Sequence, residues 1–396
     1  GAPDAVRGTT ALFVETHDSA TTQREDPFVV TGDAAVLDRR ALNRALLARQ
    51  LLLERTSMPA AGVVGHLAGM QAQAPNPPYI GLWTRIDGFR IEDLAGLVRE
   101  REVVRIALMR GTIHLVTADD CLALRPVLDG SLRQGLKGTF GRKLEGLDLA
   151  KVAAEGRALV EGEPLTLGGI GTALAERWPD RDPFALANVV RTLVPLVQVP
   201  PRGLWGESGQ AVHTSAESWL GRPLADSTSP DAMVERYLAA FGPASVKDVQ
   251  AWSGMTRLAE SVQRLGSRVR RFRDENGVEL FDLADAPRPD ADTPVPVRFL
   301  PDFDNILLSH ADRSRIITEE QRKLVFTRNG LIKPTFLVDG FVRGMWRIEQ
   351  RRKAATLVLE PFGPLSGKDH DALVEEGNAL LAFAAASATA RDIRVV

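Results

Sequence analysis

Ser245-Val246-Lys247-Asp248, closed by Gly254, is the stretch whose reading decides the fold. A serine with an acid three residues on is a helix start, and a glycine past the last apolar position is a helix stop. The helix this predicts, 245–253, lies between helical runs at 230–241 and 255–265. An alternating segment 269–274, a turn Glu275-Asn276-Gly277 and a second segment 278–283 follow. Asn-Gly between alternating apolar residues is the strongest short hairpin signal. Helices with a trailing hairpin make a winged helix-turn-helix.

The same order occurs twice upstream. Helical runs at 42–54, 60–70 and 91–100 precede an alternating stretch 104–116, broken by Met109-Arg110-Gly111. Helical runs at 151–160, 167–178 and 184–193 precede Leu196-Val197-Gln198-Val199, a loop Pro200-Pro201-Arg202-Gly203, and Leu204-Trp205. Strand-like segments then follow at 295–300, 306–308, 333–338, 341–348 and 355–360, with a closing helix at 368–386. The expected fold is α+β. Its winged-helix units span 37–148, 149–226 and 227–290, and 291–396 is a β-rich domain with a C-terminal helix. Winged helices also serve as packing modules, so the pattern alone assigns no activity.

Charge is balanced overall, 49 basic against 51 acidic residues, but it is unevenly placed. Residues 1–38 carry a net −5, and 1–36 read as an acidic, poorly ordered extension. Between Arg298 and Lys353 the net is +5. A nucleic-acid footprint is a patch, not a pI. Arg264, Arg268, Arg270, Arg271 and Arg273 gather at the third wing, as a phosphate track or as a solvated face. One cysteine, Cys121, excludes an intrachain disulfide and fits a reducing cytoplasm; it reads as a packed apolar residue or, less simply, a nucleophile. No apolar run is long enough for a membrane helix. Six scattered histidines without an i, i+4 pair argue against zinc, and Gly168-Gly169-Ile170-Gly171 lacks the dinucleotide spacing. No cofactor is expected.

Gly69-Met70-Gln71-Ala72-Gln73-Ala74-Pro75 carries the chemistry. In extended backbone, residues i and i+2 point the same way. Gln71 and Gln73 can therefore offer two carboxamides to one water or base edge, each a donor and an acceptor. They can orient a reactant better than they can ionise one. The competing reading is a polar helix terminus ended by the prolines. Tyr79 and Trp83, just downstream, are core residues or a stacking platform for a base. Arg110 and His114 flank the first wing in the same unit as the glutamines. In Leu300-Pro301-Asp302-Phe303-Asp304-Asn305, the two aspartates could hold a divalent cation or cap a turn. His310 could act as a base or bond a phosphate or a backbone carbonyl. Arg313 and Arg315 alternate on one face of an extended segment, suited to a phosphate or to surface salt bridges with Asp312 or Glu319.

Three blocks in this order resemble one family: the Gln-x-Gln element with Pro78-Tyr79-Ile80-Gly81-Leu82-Trp83; 300–313 from Leu300-Pro301-Asp302 to His310-Ala311-Asp312-Arg313; and Lys333-Pro334-Thr335-Phe336-Leu337-Val338-Asp339-Gly340. They are similar to the winged-helix alkylpurine DNA glycosylases of the AlkZ/YcaQ type, over roughly 37–390. The resemblance implies three tandem winged helix-turn-helix motifs plus a β-barrel-like domain around a DNA channel. It implies Gln71 and Gln73 as the catalytic pair, in the Gln-x-Gln branch associated with self-resistance to DNA-alkylating antibiotics. It further implies a monofunctional glycosylase that hydrolyses the glycosidic bond of N7-alkylated purines and can unhook interstrand crosslinks. Arg110, His114, Arg270, His310, Arg313, Arg315 and Lys333 become the candidate DNA contacts, and the partner is duplex DNA bound by a monomer. A non-catalytic winged-helix regulator is the alternative; buried or averted glutamines would favour it. A metal enzyme built on Asp302 and Asp304 is the third reading.

Overall fold

The computed structural model describes residues 34–396; the acidic segment 1–33 lies outside the described residues. The first unit comprises β1 (Val36–Leu37), α1 (Arg39–Arg49), α2 (Ala60–His66), β2 (Met70–Gln71), α3 (Pro77–Trp83), α4 (Ile91–Arg99), β3 (Val103–Ala107), β4 (Ile113–Thr117) and α5 (Ala118–Phe140). The second holds α6 (Leu149–Gly162), β5 (Leu165–Thr166), α7 (Leu167–Ala175), α8 (Pro183–Leu193), β6 (Leu196–Gln198), β7 (Val212–Ser215) and α9 (Ala216–Leu220). The third is α10 (Asp231–Phe241), α11 (Val246–Ser253), α12 (Ala259–Arg264), β8 (Val269–Asp274) and β9 (Glu279–Leu283). The last third contains β10 (Arg298–Leu300), α13 (Glu319–Val325), β11 (Thr335–Val338), β12 (Phe341–Arg351), β13 (Ala354–Pro361), α14 (Gly367–Ala384) and β14 (Ala390–Val395). The architecture is mixed α+β, as expected.

Local chemistry explains the third unit. Ser245 Oγ accepts from Asp248 N at 3.1 Å and Asp248 Oδ2 accepts from Ser245 N at 2.8 Å, which closes the capping box of α11. Gly254 ends α11 in the left-handed region at φ +77°. β8 and β9 pair antiparallel across the turn, and Gly277 takes φ +80° there.

Four expectations change. Val36, the last residue assigned to the extension, is not outside the fold: with Leu37 it pairs in parallel with Arg273–Asp274 of β8. Pro77 and Pro78 open a helix instead of only ending one, because proline suits the first helical turn. Leu204-Trp205 is not the return strand of the second hairpin; β6 pairs with β7, and β7 also pairs with β5. Residues 305–307 form a short 3-10 turn, not a strand.

The first two hairpins do not stand apart. β3 pairs with β6, so they fuse into one six-stranded sheet, β2-β4-β3-β6-β7-β5, with β2 at its edge. The C-terminal sheet is an open ribbon, β10-β11-β12-β13-β14, where a barrel-like closure was expected. Its core is shared. Tyr79, Leu82 and Trp83 of α3 lie in one buried cluster with Phe299, Phe336, Trp346, Leu357 and Leu373. That common core fixes the segment after β10 directly against β2. No helix of the described residues is long and apolar enough to cross a membrane.

Candidate active site

The glutamines sit where three elements meet. Gln71 ends the edge strand β2, in register with His114 of β4. Ala68 and Gly69 precede it in left-handed backbone, φ +54° and +90°, which turns the chain sharply out of α2. Ala72 N donates to Ile113 O at 2.7 Å, continuing the ladder. Gln73 then completes it with its side chain: its Oε1 accepts from Ile113 N at 3.0 Å. Gln71 Oε1 accepts from Arg110 Nη2 at 2.8 Å, while Arg110 Nη1 donates to Trp252 O. Both carboxamide oxygens thus face donors, which sets the amide orientations. Gln71 is 7% exposed; Gln73 is exposed.

Arg105, which sequence reasoning missed, holds the alternate positions. Its Nη2 donates to Ala72 O at 2.6 Å and its Nη1 to Ala74 O at 3.3 Å. The backbone of Gln-x-Gln is clamped from behind while the side chains engage the β3–β4 hairpin. Burial lowers the Arg105 pKa to about 9, so it remains a cation at neutral pH. An arginine inside the otherwise apolar strand 103–107 was the available signal, because such a charge is buried only with partners.

Pro301–Asn305 forms the opposite wall. Asn305 Nδ2 donates to Gly69 O at 2.7 Å, docking this loop on the glutamine strand. Asp304 forms a bidentate pair with Arg85, both contacts 2.8 Å, with side chains 1% and 0% exposed. Its oxygens are committed to that guanidinium, which removes Asp304 from the cation site considered above. Phe303, at φ +59°, separates it from Asp302. Asp302 lines a narrow cleft together with Gln71, Pro77, Pro78, Asp304 and Asn305. The cleft offers only about 10 Å³ to the centre of a water, roughly the room that one water needs, so it suits a single water rather than an engulfed base.

The candidate DNA contacts separate into three groups. Arg270 and Lys333 are exposed. Arg110 and Arg313 are half-buried: burial, then the Arg313 charge, brings the Arg110 pKa down to about 10, and Arg313 Nε donates to Leu307 O at 2.8 Å. His114, His310 and Arg315 are buried and cannot reach a phosphate here. His114 bonds Thr112 O through Nδ1, and His310 bonds Phe241 O through Nε2. Arg315 Nη1 donates to Pro243 O at 2.7 Å. The segment 313–315 is turned, not extended: Asp312 Oδ1 accepts from Ser314 N, and Ile316 N donates to Arg313 O. Arg313 and Arg315 therefore do not share a face. Around the β8–β9 hairpin, Arg264 pairs with Asp231, Arg268 with Glu235 and Arg271 with Glu279, so much of that arginine cluster is an ion-paired surface. Tyr79 and Trp83 are core: the Tyr79 hydroxyl donates to Gly203 O at 3.0 Å, and Trp83 stacks on Phe383. Burial pushes the Cys121 thiol up to about 12, so it packs rather than reacts.

Burial also lowers the histidines. The His114 pKa falls to about 3, with Arg110 adding to the effect, and that of His213 to about 4. His310 is shifted down as well, by burial first and by Arg315 second. In an unfolded chain each titrates near 6.5. Between those limits the unfolded state binds more protons, so stability is full above about pH 6.5 and is lost as pH falls. The unfolding free energy from urea denaturation should drop from pH 7 to pH 5, by up to about 2 kcal/mol for each of these three histidines, and the midpoint with it. His114→Gln should flatten that dependence. A pH-independent midpoint contradicts the assignment.

With this geometry in place, the comparisons with known proteins are informative. The family model described as "DNA glycosylase AlkZ-like" matches residues 64–383. The interstrand DNA cross-link repair glycosylase of Streptomyces sahachiroi is 25% identical over 333 residues, 79% of this chain and 88% of that protein. The solved structure of the Streptomyces sahachiroi DNA glycosylase AlkZ superposes with a TM-score of 0.75 at 22% identity, covering 91% of this chain and 100% of that one.

Proposed function

Because the chain belongs to the AlkZ-like DNA glycosylase family, and is a DNA glycosylase, we propose that it excises N7-alkylated purines and unhooks crosslinks formed through them. Self-resistance to a DNA-alkylating natural product is the role this suggests. The observation that carries the reading is the pair of glutamines held rigidly by Arg110, Ile113 N–H and Arg105, with Gln71 at a water-sized cleft. An N7-alkylpurine is cationic, so its glycosidic bond is already weakened. The enzyme need not protonate the leaving group. It must place a water against C1′ and tolerate positive charge on the sugar. Two fixed carboxamides meet the first requirement. The small cleft accords with limited reliance on a fully flipped base.

In this reading the helix–hairpin units 37–148, 149–226 and 227–290 act as winged helix-turn-helix modules, and 291–396 completes the DNA channel. Gln71 is buried, the property that favours the non-catalytic regulator; we take it as the depth at which the water is held, since exposed Gln73 remains open to DNA. Duplex carrying an N7-guanine interstrand crosslink tests the substrate. Wild-type protein should convert it to separable strands on a denaturing gel, and an intact crosslink at excess enzyme contradicts the proposal.

DNA binding should be salt-sensitive with little sequence preference. If four to six phosphates are neutralised, log K falls against log salt with a slope of roughly −4 to −5. Arg270→Ala and Lys333→Ala should each flatten the slope by about 0.9. Arg315→Ala should leave it unchanged, because that side chain is inside. A slope near zero for wild-type protein removes the phosphate interface.

A further inference from the structure

We propose that Asp302 is a third catalytic residue, the carboxylate that takes the proton from the attacking water. This rests on the glycosylase reading above and deepens it. The need is chemical. Water bonding to C1′ must lose a proton, and carboxamides cannot take one. Both glutamine oxygens are moreover already engaged, by Arg110 and by Ile113 N–H. The same cleft supplies a carboxylate. Asp302 lines it beside Gln71, and among the described residues it has no ion-pair partner.

The loop is built to hold this group in place. Pro301 restricts the backbone on one side, and Phe303 in left-handed conformation turns the chain on the other. The turn sends Asp304 to Arg85 and leaves Asp302 in the cleft. Asn305 ties the loop to Gly69 O, two residues from Gln71. The contributors from β2 and α3 carry no charge: Met70 and Gln71, and Pro77 and Pro78. Asp304 also lines the cleft but is neutralised by Arg85, and Arg110 behind the lining is bonded to the Gln71 oxygen. His114 in the adjoining strand is neutral at pH 7. Burial accordingly holds the Asp302 carboxyl above the usual carboxylate range, which suits a base more than a spectator anion.

In the step, the water oxygen bonds to C1′ while the C1′–N9 electron pair passes to N9 and neutralises the alkylpurine cation. One water proton goes to the Asp302 carboxylate and then to solvent.

Single-turnover release of 7-methylguanine, followed from pH 4.5 to 8 with folding checked by circular dichroism at each pH, tests this. The wild-type rate should rise with pH through an apparent pKa above the ordinary aspartate value. Asp302→Asn should lower the plateau by about 100-fold or more and abolish the acidic limb, with DNA affinity unchanged. Asp302→Glu should restore part of the rate and the limb. A flat wild-type profile, or an Asp302→Asn variant that keeps both rate and limb, overturns the role of Asp302 while leaving the glycosylase reading intact. No release by wild-type protein overturns both.

Discussion

Replacing Gln71 with alanine is expected to slow release of a cationic alkylpurine by roughly 10- to 1000-fold, about 1.4–4 kcal/mol of barrier. The substitution removes the carboxamide that faces the cleft and strips Arg110 Nη2 of its acceptor. Gln73→Ala should fall in the same range, because its side chain completes the ladder at Ile113 N and keeps the second carboxamide in place. DNA affinity should barely change, since neither glutamine is a phosphate ligand. The double variant should be far less damaging than the product of the two singles, because groups that act as a unit are not additive. Gln73→Asp should keep appreciable activity: a carboxylate can accept the same Ile113 N–H bond and adds negative charge near the developing cation. Single-turnover kinetics with affinity measured on the same DNA checks the set. A Gln71→Ala rate equal to wild type contradicts the arrangement.

The second large effect is structural. Asp304→Ala should destabilise the fold by about 3–5 kcal/mol, because it leaves the Arg85 guanidinium buried without its counter-charge. Arg85 Nε and Nη1 would still reach Gln50 O and Gly81 O, at 2.9 Å each, but the charge itself would be uncompensated. The same pair anchors the loop carrying Asp302, so activity should fall further than the loss of folded protein explains. Replacing both partners together, Arg85→Met with Asp304→Leu, should recover much of the stability and none of the loop geometry. Urea denaturation of the single and double variants measures this. A single variant within about 0.5 kcal/mol of wild type, the range of ordinary surface changes, would show that the pair is dispensable.

What could be read from sequence was what short-range chemistry decides. The Ser245/Asp248 box, the Gly254 stop and the Asn276-Gly277 turn each depend on residues a few positions apart, and all three appear where expected. The Gln-x-Gln element stood out only through its resemblance to a family, because two glutamines carry little signal by themselves. What failed depends on tertiary partners. Alternation suggested a shared face for Arg313 and Arg315, yet the Asp312-capped turn sends Arg315 to Pro243 O. His114 and His310 do not face DNA as the resemblance implies; both bond backbone carbonyls in the interior, which for His310 is one of the alternatives its sequence context leaves open. The long helix α5 was passed over because Pro126 and several glycines interrupt its pattern; its buried Cys121, Leu124 and Leu128 hold it against the main core. Strand β1 has only two residues, and its partner β8 lies far along the chain, so no local pattern marks it. Arg105 and Asp302 emerge only once β3 and the 301–305 loop converge on Gln71.

The most direct measurement is the fate of N7-methylguanine DNA under single-turnover conditions, with wild-type protein and with the Gln71→Ala/Gln73→Ala double variant compared side by side. The account predicts free 7-methylguanine and an abasic site from wild type, at least about 10-fold slower from the double variant, with equal DNA binding. Tight binding without base release by wild type, or equal release by the double variant, would contradict it.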